Sequence, residues 1–163
     1  MLNDISPKLS EEEVSLYFEK ANNSIRHREP KILHQKGDYL NRVFNFILSD
    51  SYMHPHMHPS EEKIEKMYLI EGSFALTLFD DFGGLTDVII LEEGQCEEVQ
   101  VPAFTWHTYI MLSDRVIIYE TMEGFYNPNT WKNLAPWAPD EGTVEAIQYL
   151  NDLKVSIKDF NHD

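Results

Sequence analysis

The sequence predicts a small all-β protein, a barrel or sandwich of short strands with a helix at each end. Its length of 163 residues suits one domain. From about residue 42 onward, segments rich in β-branched and aromatic residues alternate with turn residues, and no helical pattern separates them. The 42% hydrophobic and 12% aromatic content is enough for one core and argues against disorder.

Composition excludes several classes of partner and site. With 28 acidic and 13 Lys or Arg residues the formal charge is −15, so nucleic acid and anionic membranes are not expected partners. Cys96 is the only cysteine, which excludes an intrachain disulfide and a thiolate zinc cage. The start lacks a basic region followed by an apolar run, and no apolar run approaches the ~18 residues of a membrane span. A cytoplasmic location is therefore the default expectation.

The first predicted element is a helix that starts after Ser10. Ser10 and Glu13 form an S-x-x-E capping box, and Leu9 and Val14 occupy the positions of a hydrophobic staple. Apolar residues then recur at helical spacing, which predicts that one face packs on the rest of the protein. These residues are Val14, Tyr17, Phe18, Ala21 and Ile25.

Seven strands are predicted next, separated by turns that contain Gly, Asp or Ser. They cover residues 42–48, 64–70, 73–79, 86–91, 97–101, 107–112 and 115–121. Residues 125–142 are predicted to form a long ordered loop, and 143–153 a short helix with an apolar face that includes Val144, Ile147, Tyr149 and Leu150.

No linker divides the chain, so residues 1–163 are interpreted as one domain. Residues 1–40 form the helix and lead-in, 41–124 the barrel core, and 125–163 the C-terminal loop and helix.

Three histidines alternate in the segment His54-Pro-His56-Met-His58-Pro. Alternate residues of an extended segment point to the same side, so His56 and His58 can meet one ion. Pro55 and Pro59 keep the residues before them extended. Histidines beside prolines are often ordinary loop residues, but an alternating pair with a downstream carboxylate and another His favours a metal.

The carboxylate candidate is Glu65. Parity places it on the same strand face as Met67 and Leu69, and an inward-facing carboxylate needs a cation or a hydrogen-bond partner. Glu62 is the competing ligand, and both residues also fit a solvated acidic run.

His107 is the fourth candidate ligand, because it opens an apolar strand shortly after Pro102. An isolated His in such a position is more often a core residue. Three nitrogens and one carboxylate oxygen, however, form a set that suits Fe(II), Mn(II), Ni(II) or Zn(II). We therefore expect one divalent transition metal as cofactor.

These residues resemble the two motifs of the cupin superfamily. His56-Met-His58, then Glu65 and Gly72, resembles the first motif, with a His58-to-Glu65 gap two residues longer than usual. Residues 102–107 resemble the second motif, with Phe104 where a Gly is usual. The resemblance implies a cupin double-stranded β-helix (jelly-roll) barrel with the metal inside.

The chain is also similar to the WbuC-like cupin-fold metalloproteins, which occur among polysaccharide (O-antigen) biosynthesis genes. The similarity spans roughly residues 24–150. It is carried by residues 26–28, His34, 55–59, 71–72, 78–83, 102–107, 119–120, 124–126 and 137–142. It implies six to eight strands and no established reaction, while the homodimers common among cupins make a second copy a candidate partner.

Other strand residues are candidates for a pocket beside the metal. Glu120 and Tyr68 are the catalytic candidates, and Arg42, Trp106 and His54 the substrate-binding candidates. Tyr119 and Glu120 cannot both face inward on a regular strand. Glu120 is interpreted as a pocket acid or a partner of Arg42, with an outward charge on an edge strand as the alternative.

Three functions agree with this site. The first is a metal-dependent enzyme that acts on a small polar or sugar-related molecule. The second is an Fe(II)-dependent dioxygenase, although the thiol dioxygenases of this fold use three His and no Glu. The third is a non-catalytic metal- or carbohydrate-binding module. Catalysis requires an open metal position that faces a solvent-reachable pocket.

Overall fold

A computed structural model describes residues 5–160; residues 1–4 and 161–163 of the predicted domain lie outside the described part. Two five-stranded antiparallel sheets pack face to face, and a helix lies toward each end of the chain. The prediction of a mostly β protein with two helices is confirmed, and the observed arrangement is a sandwich.

The elements interleave between the two sheets. Helix α1 covers Glu11–Asn23 and helix α2 covers Val144–Phe160. The first sheet has the order β1 (Arg28–Ile32), β2 (Leu40–Leu48), β9 (Arg115–Glu123), β4 (Glu65–Glu71), β7 (Glu98–Val101). The second has the order β10 (Asn133–Leu134), β3 (His56–Met57), β8 (Trp106–Met111), β5 (Ser73–Phe79), β6 (Leu85–Glu92).

Helix α1 begins as its capping box predicts. The Ser10 hydroxyl accepts the Glu13 N–H at 3.1 Å, and the Glu13 carboxylate accepts the Ser10 N–H at 2.9 Å. Both hydrogen bonds satisfy backbone N–H groups that have no acceptor within the helix. The helix then packs Phe18 against Phe46 on the outer face of the first sheet.

Helix α2 is longer than the predicted 143–153 helix, and it buries a different face. Its buried residues are Ala146, Leu150, Leu153 and Ile157, a continuous i, i+4, i+7, i+11 stripe. They pack on the outer face of the second sheet. The predicted apolar face was partly wrong, because Val144 and Ile147 are exposed.

The seven predicted strands correspond to β2 and β4–β9. The three strands that the sequence did not predict are short or atypical. Strand β1 contains Pro30 and three charged residues, and it pairs only with β2 at the edge of its sheet, where a proline is tolerated. Strands β3 and β10 have two residues each, too few to produce a periodic signal.

The core between the sheets comes from the inward residues of both. Along β4, Glu65, Met67 and Leu69 are buried in alternation, as parity predicts. Phe74 and Leu76 of β5 face them from the second sheet and are fully buried. No helix within residues 5–160 combines the length and hydrophobicity that a bilayer crossing needs.

Candidate metal centre

Four buried side chains meet between the sheets: His56, His58, Glu65 and His107. Each offers one ligand atom, and all four atoms lie within 4.8 Å of one another. Two ligand atoms bound to one ion at about 2.1 Å are at most roughly 4.2 Å apart, so a shift of tenths of an ångström would complete a site. The exposed alternative, Glu62, is not part of this group.

Both sheets contribute to the group. His56 on β3 and His107 on β8 are direct cross-strand partners, with ring centroids 4.5 Å apart. His58 follows His56 by two residues and points to the same side. Glu65, at the start of β4, reaches the three rings from the opposite sheet: its Oε2 lies 2.9 Å from His107 Nε2 and 3.4 Å from His58 Nε2.

A backbone carbonyl orients each of the three rings. The Nδ1 atoms of His56, His58 and His107 lie 3.0, 2.9 and 2.8 Å from the carbonyl oxygens of His54, Trp131 and Thr105 respectively. A carbonyl oxygen can only accept, so each Nδ1 carries the proton and each neutral ring presents the Nε2 lone pair to the centre. This is the arrangement of metal-binding histidines.

The protonation of the three rings at Nδ1 also indicates whether a cation fits between the four side chains. With Nδ1 protonated, the 2.9 Å contact between His107 Nε2 and Glu65 Oε2 brings a lone pair against a carboxylate oxygen. Such a contact is favourable only with a proton or a metal ion between the two atoms. Three imidazole nitrogens and one carboxylate oxygen suit Fe(II), Mn(II), Ni(II) or Zn(II), so the residues fit a divalent transition metal.

Electrostatics keep the donors in the form that binds metal. Burial, together with the neighbouring His107, holds the pKa of His56 well below its ordinary value, so that the ring is neutral. Burial alone would raise the pKa of Glu65. Hydrogen bonds and charge from His107 and His58 in their protonated form outweigh this effect and hold that pKa well below its ordinary value. A metal ion, bound in place of those protons, would likewise keep Glu65 ionised.

Phe104 occupies the position where the cupin motif usually has Gly, and its φ is 57°. This left-handed conformation favours glycine. It allows the Phe104 N–H to donate to the His58 carbonyl at 3.0 Å, which ties the turn before β8 to the end of β3. Phe104 therefore holds a backbone conformation that glycine adopts more readily.

A cavity of about 850 Å³ opens onto the group. His56, His58 and Glu65 line it, while His107 is fully buried and is not among the lining residues. Its walls combine apolar side chains, such as Met53 and Val43, with several charged ones. A ligand in this space would reach the donor group from one side.

Glu120 lies in this cavity beside Glu65. The Tyr109 hydroxyl donates to Glu65 Oε1 at 3.3 Å, and Glu120 Oε1 is buried without a hydrogen-bond partner among residues 5–160. Burial, reinforced by the negative charge of Glu65, raises the pKa of Glu120 well above its ordinary value. A buried acid with a raised pKa is suited to proton transfer.

Four other residues predicted for the site lie outside the cavity lining. Arg42 alternates with Asn41 and Val43, which line the cavity, so it faces the other side of β2. Tyr68 likewise alternates with Met67 and packs in the outer cluster beneath α1.

Trp106 and His54 have partners of their own. Trp106 Nε1 donates to Asp81 Oδ1 at 3.1 Å, and the ring packs with Trp137 on the outer face of the second sheet. His54 is buried, and its Nε2 donates to the Ala135 carbonyl at 2.8 Å. Glu120 is the one predicted pocket residue that lines the cavity.

Sequence reasoning missed several cavity residues. Asn41 and Asn45 alternate on β2, and Tyr109 follows His107 by two, so parity could have identified all three. Arg28 and Lys132 lie on β1 and next to β10, the elements without a sequence signal.

Comparisons with solved structures show a cupin-like fold. Protein SO0799 from Shewanella oneidensis is 12% identical, with a TM-score of 0.54 over 79% of this chain and 83% of that one. Oxalate decarboxylase from Lactobacillus farciminis, solved as a formate complex, is 14% identical, with a TM-score of 0.52 over 82% of this chain. The chain corresponds to 34% of that enzyme, so the likeness concerns the fold alone.

Comparisons of the sequence with known families likewise assign no reaction to this chain. No curated protein matches the sequence. One family model matches residues 9–91, just over half of the chain, from the residue before the α1 cap through β6. That segment contains His56, His58 and Glu65. The chain therefore belongs to the family described as a domain of unknown function, DUF6016.

Proposed function

We propose that this protein is a metal-dependent enzyme that acts on a small polar molecule in the cavity between its sheets. His56, His58, Glu65 and His107 would hold one divalent transition metal. The observation that supports this most directly is the orientation of the three rings, whose Nε2 lone pairs converge with Glu65 within 4.8 Å.

An enzyme also needs access to the metal, and the cavity supports this part of the proposal. Three of the four donors line a space of about 850 Å³. Four protein donors leave two positions of a six-coordinate ion for ligand or water. A non-catalytic module would instead have a closed, fully protein-ligated ion.

The protein residues would divide the remaining tasks. A bound divalent ion would act as a Lewis acid toward a ligand oxygen. Tyr109 would hold Glu65 in place through its hydroxyl. Glu120, with its unpartnered Oε1 in the cavity, would hold or transfer a proton at a ligand oxygen.

The resemblance to WbuC-like metalloproteins supports a sugar-related substrate and a role in polysaccharide biosynthesis. That resemblance includes the histidine segment 55–59 and residues 119–120, which contain Glu120. The presence of Glu65 in the donor group argues against a thiol dioxygenase, because those cupins use three His and no Glu.

The proposal is tested by loading the protein with Mn(II) and measuring metal content and water proton relaxation. We expect about one ion per chain and high relaxivity, because an open position exchanges inner-sphere water. His56→Ala and His107→Ala should each abolish tight binding while circular dichroism shows the fold intact. His27→Ala removes a partly exposed histidine outside the group and should bind normally.

Two results would contradict the proposal. Unchanged metal content in His56→Ala or His107→Ala would show that the ligand set is wrong. A tightly bound Mn(II) with no exchangeable water would indicate a closed ion and favour the non-catalytic module.

A further inference from the structure

The cavity collects positive charge in an acidic protein. Four of the 13 Lys and Arg residues line it, compared with three of the 28 acidic residues. The cationic residues are Arg26, Arg28, Lys36 and Lys132, and the acidic ones are Asp38, Glu65 and Glu120. Glu65 already belongs to the metal group. The electrostatics of this cavity therefore favour an anion, unlike the rest of the surface.

Two of these cations share one carboxylate, and a third lies near them without an acceptor among the described residues. Arg26 Nε lies 3.0 Å from Glu141 Oε2, and Arg28 Nη2 lies 2.7 Å from Glu141 Oε1. Lys132 has no hydrogen-bond or ion-pair acceptor within residues 5–160. It is exposed and lines the cavity, and burial of its amine by the surrounding protein lowers the pKa of that amine, which Arg26 and Arg28 lower further. One carboxylate leaves this group with excess positive charge.

Arg28 is held rigidly in position for recognition. Its side chain is 5% exposed, and Nη1 donates to Ser51 Oγ at 3.2 Å and to the Tyr52 carbonyl at 3.1 Å. With the bond to Glu141, three of the five guanidinium N–H groups have partners within the described residues. Nε and one N–H of Nη2 have none.

Two buried acceptors in the cavity also lack partners within the described chain. Asn41 Nδ2 donates to the carbonyls of Met122 at 3.2 Å and Gly124 at 2.6 Å, which fixes the amide and leaves Oδ1 unpaired. Glu120 Oε1 is the second such atom. Asn41 and Glu120 are 7% and 9% exposed, so only a ligand or a water in the cavity can reach them.

The cavity spans four strands of the first sheet. Glu65 lies on β4 and Arg28 on β1, with Glu120 on β9 and Asn41 on β2 between them. A ligand that contacts all four strands within a space of about 850 Å³ is larger than a two-carbon acid and smaller than a macromolecule.

We infer that the cavity binds a hydroxylated small-molecule anion, such as a sugar acid or sugar phosphate. Lys132 and Arg28 bind its anionic group, and Asn41 Oδ1 and Glu120 Oε1 accept hydrogen bonds from its hydroxyl groups. This inference deepens the proposed function and rests on it for the metal end of the ligand.

The test is calorimetric titration of Mn(II)-loaded and metal-free protein with four probes. Gluconate carries hydroxyls and a carboxylate, sorbitol only hydroxyls, acetate only the carboxylate, and glucose 6-phosphate a phosphate. We expect gluconate or glucose 6-phosphate to bind at least about tenfold more tightly than sorbitol and acetate, because the hydrogen bonds are charge-assisted. The tighter of the two identifies the anionic group.

Lys132→Gln should weaken binding of the preferred anion at least about tenfold, and Lys132→Arg should retain most of it. Lys66→Gln is the matched control, because it makes the same change on an exposed residue outside the cavity. Equal binding of gluconate, glucose 6-phosphate and sorbitol, or equal loss in Lys66→Gln and Lys132→Gln, would overturn the inference. Anion preference in a protein that takes up no Mn(II) would support it and contradict the proposed function.

Discussion

The space between the two sheets has an apolar half and a polar half, and the same strands build both. The inward faces of β4, β8 and β9 change character along their length, from Glu65 to Leu69, from His107 to Met111, and from Glu120 to Val116. The apolar residues form one buried cluster with β5. The polar residues surround the cavity.

The two halves make different contributions. Burying apolar side chains stabilises the fold by about 25 cal/mol per Å², whereas each buried polar atom without a partner costs about 1–3 kcal/mol. The polar half contains the unpaired Asn41 Oδ1 and Glu120 Oε1, and three imidazoles around one carboxylate. We conclude that the apolar half stabilises the sandwich, which allows the polar half to be organised for a ligand.

The largest expected effect on stability lies in the apolar half. Leu76→Ala removes a fully buried side chain between the sheets and should lower the free energy of unfolding by about 2–5 kcal/mol. Urea unfolding followed by tryptophan fluorescence would measure it. Leu112→Ala, at a side chain that is 44% exposed, should cost much less. A similar decrease in the free energy of unfolding in the two variants would contradict the conclusion that the apolar half stabilises the sandwich.

A change in the polar half should affect metal binding before stability. Glu65→Gln removes the only charged donor of the group and should weaken metal affinity at least about tenfold, or 1.4 kcal/mol. Competition with a chelator would measure the change. Glu62→Gln is the control, since Glu62 is exposed and accepts the Ser60 hydroxyl. Weaker binding in Glu62→Gln alone would assign the carboxylate ligand to Glu62.

The turn at Phe104 is hydrogen-bonded to the histidine segment of the polar half, and it requires a left-handed backbone conformation that is unfavourable for phenylalanine. Phe104→Gly should raise the free energy of unfolding of the metal-free protein by about 0.5–1 kcal/mol, because glycine adopts a φ of 57° without the penalty of a side chain. Phe104→Ala keeps that penalty and serves as control. A loss of stability in Phe104→Gly would show that the half-exposed ring contributes more than the strain costs.

The smallest effect on stability is expected at the ion pairs of Glu141 with Arg26 and Arg28, because Glu141 is partly exposed and solvent screens its charge. Burial tends to raise the pKa of Glu141, but Arg28 and Arg26 outweigh it and lower that pKa below its ordinary 4.5. A lowered pKa in the folded state gives stability that is complete above pH 4.5 and is lost as the pH falls through the folded value. Glu141→Gln should therefore be less stable than wild type at pH 7, with a smaller difference at pH 3.

Unfolding curves at both pH values would measure the change at Glu141, with the exposed Glu123→Gln as control. A difference between Glu141→Gln and wild type that stays constant from pH 7 to pH 3 would contradict the ion pair as its source.

Much of the fold could be predicted because its signals are local. The capping box at Ser10 and the alternation along β4 depend on neighbours within a few residues, and both agree with the structure. Strand β1 could not be predicted, because Pro30 and its charges are acceptable only at a sheet edge, and the edge is a property of the assembled sheet. The buried face of α2 was mispredicted for a related reason: the second sheet decides which stripe it covers.

For the metal centre, the sequence by itself determined the alternating histidines and the inward parity of Glu65, because strand geometry repeats every two residues. The tertiary structure decided what makes them a site. It paired His56 with His107, placed the Trp131 carbonyl on His58, and brought Glu65 rather than Glu62 from the opposite sheet. Those contacts join residues 42–73 positions apart, and no local pattern encodes such distances.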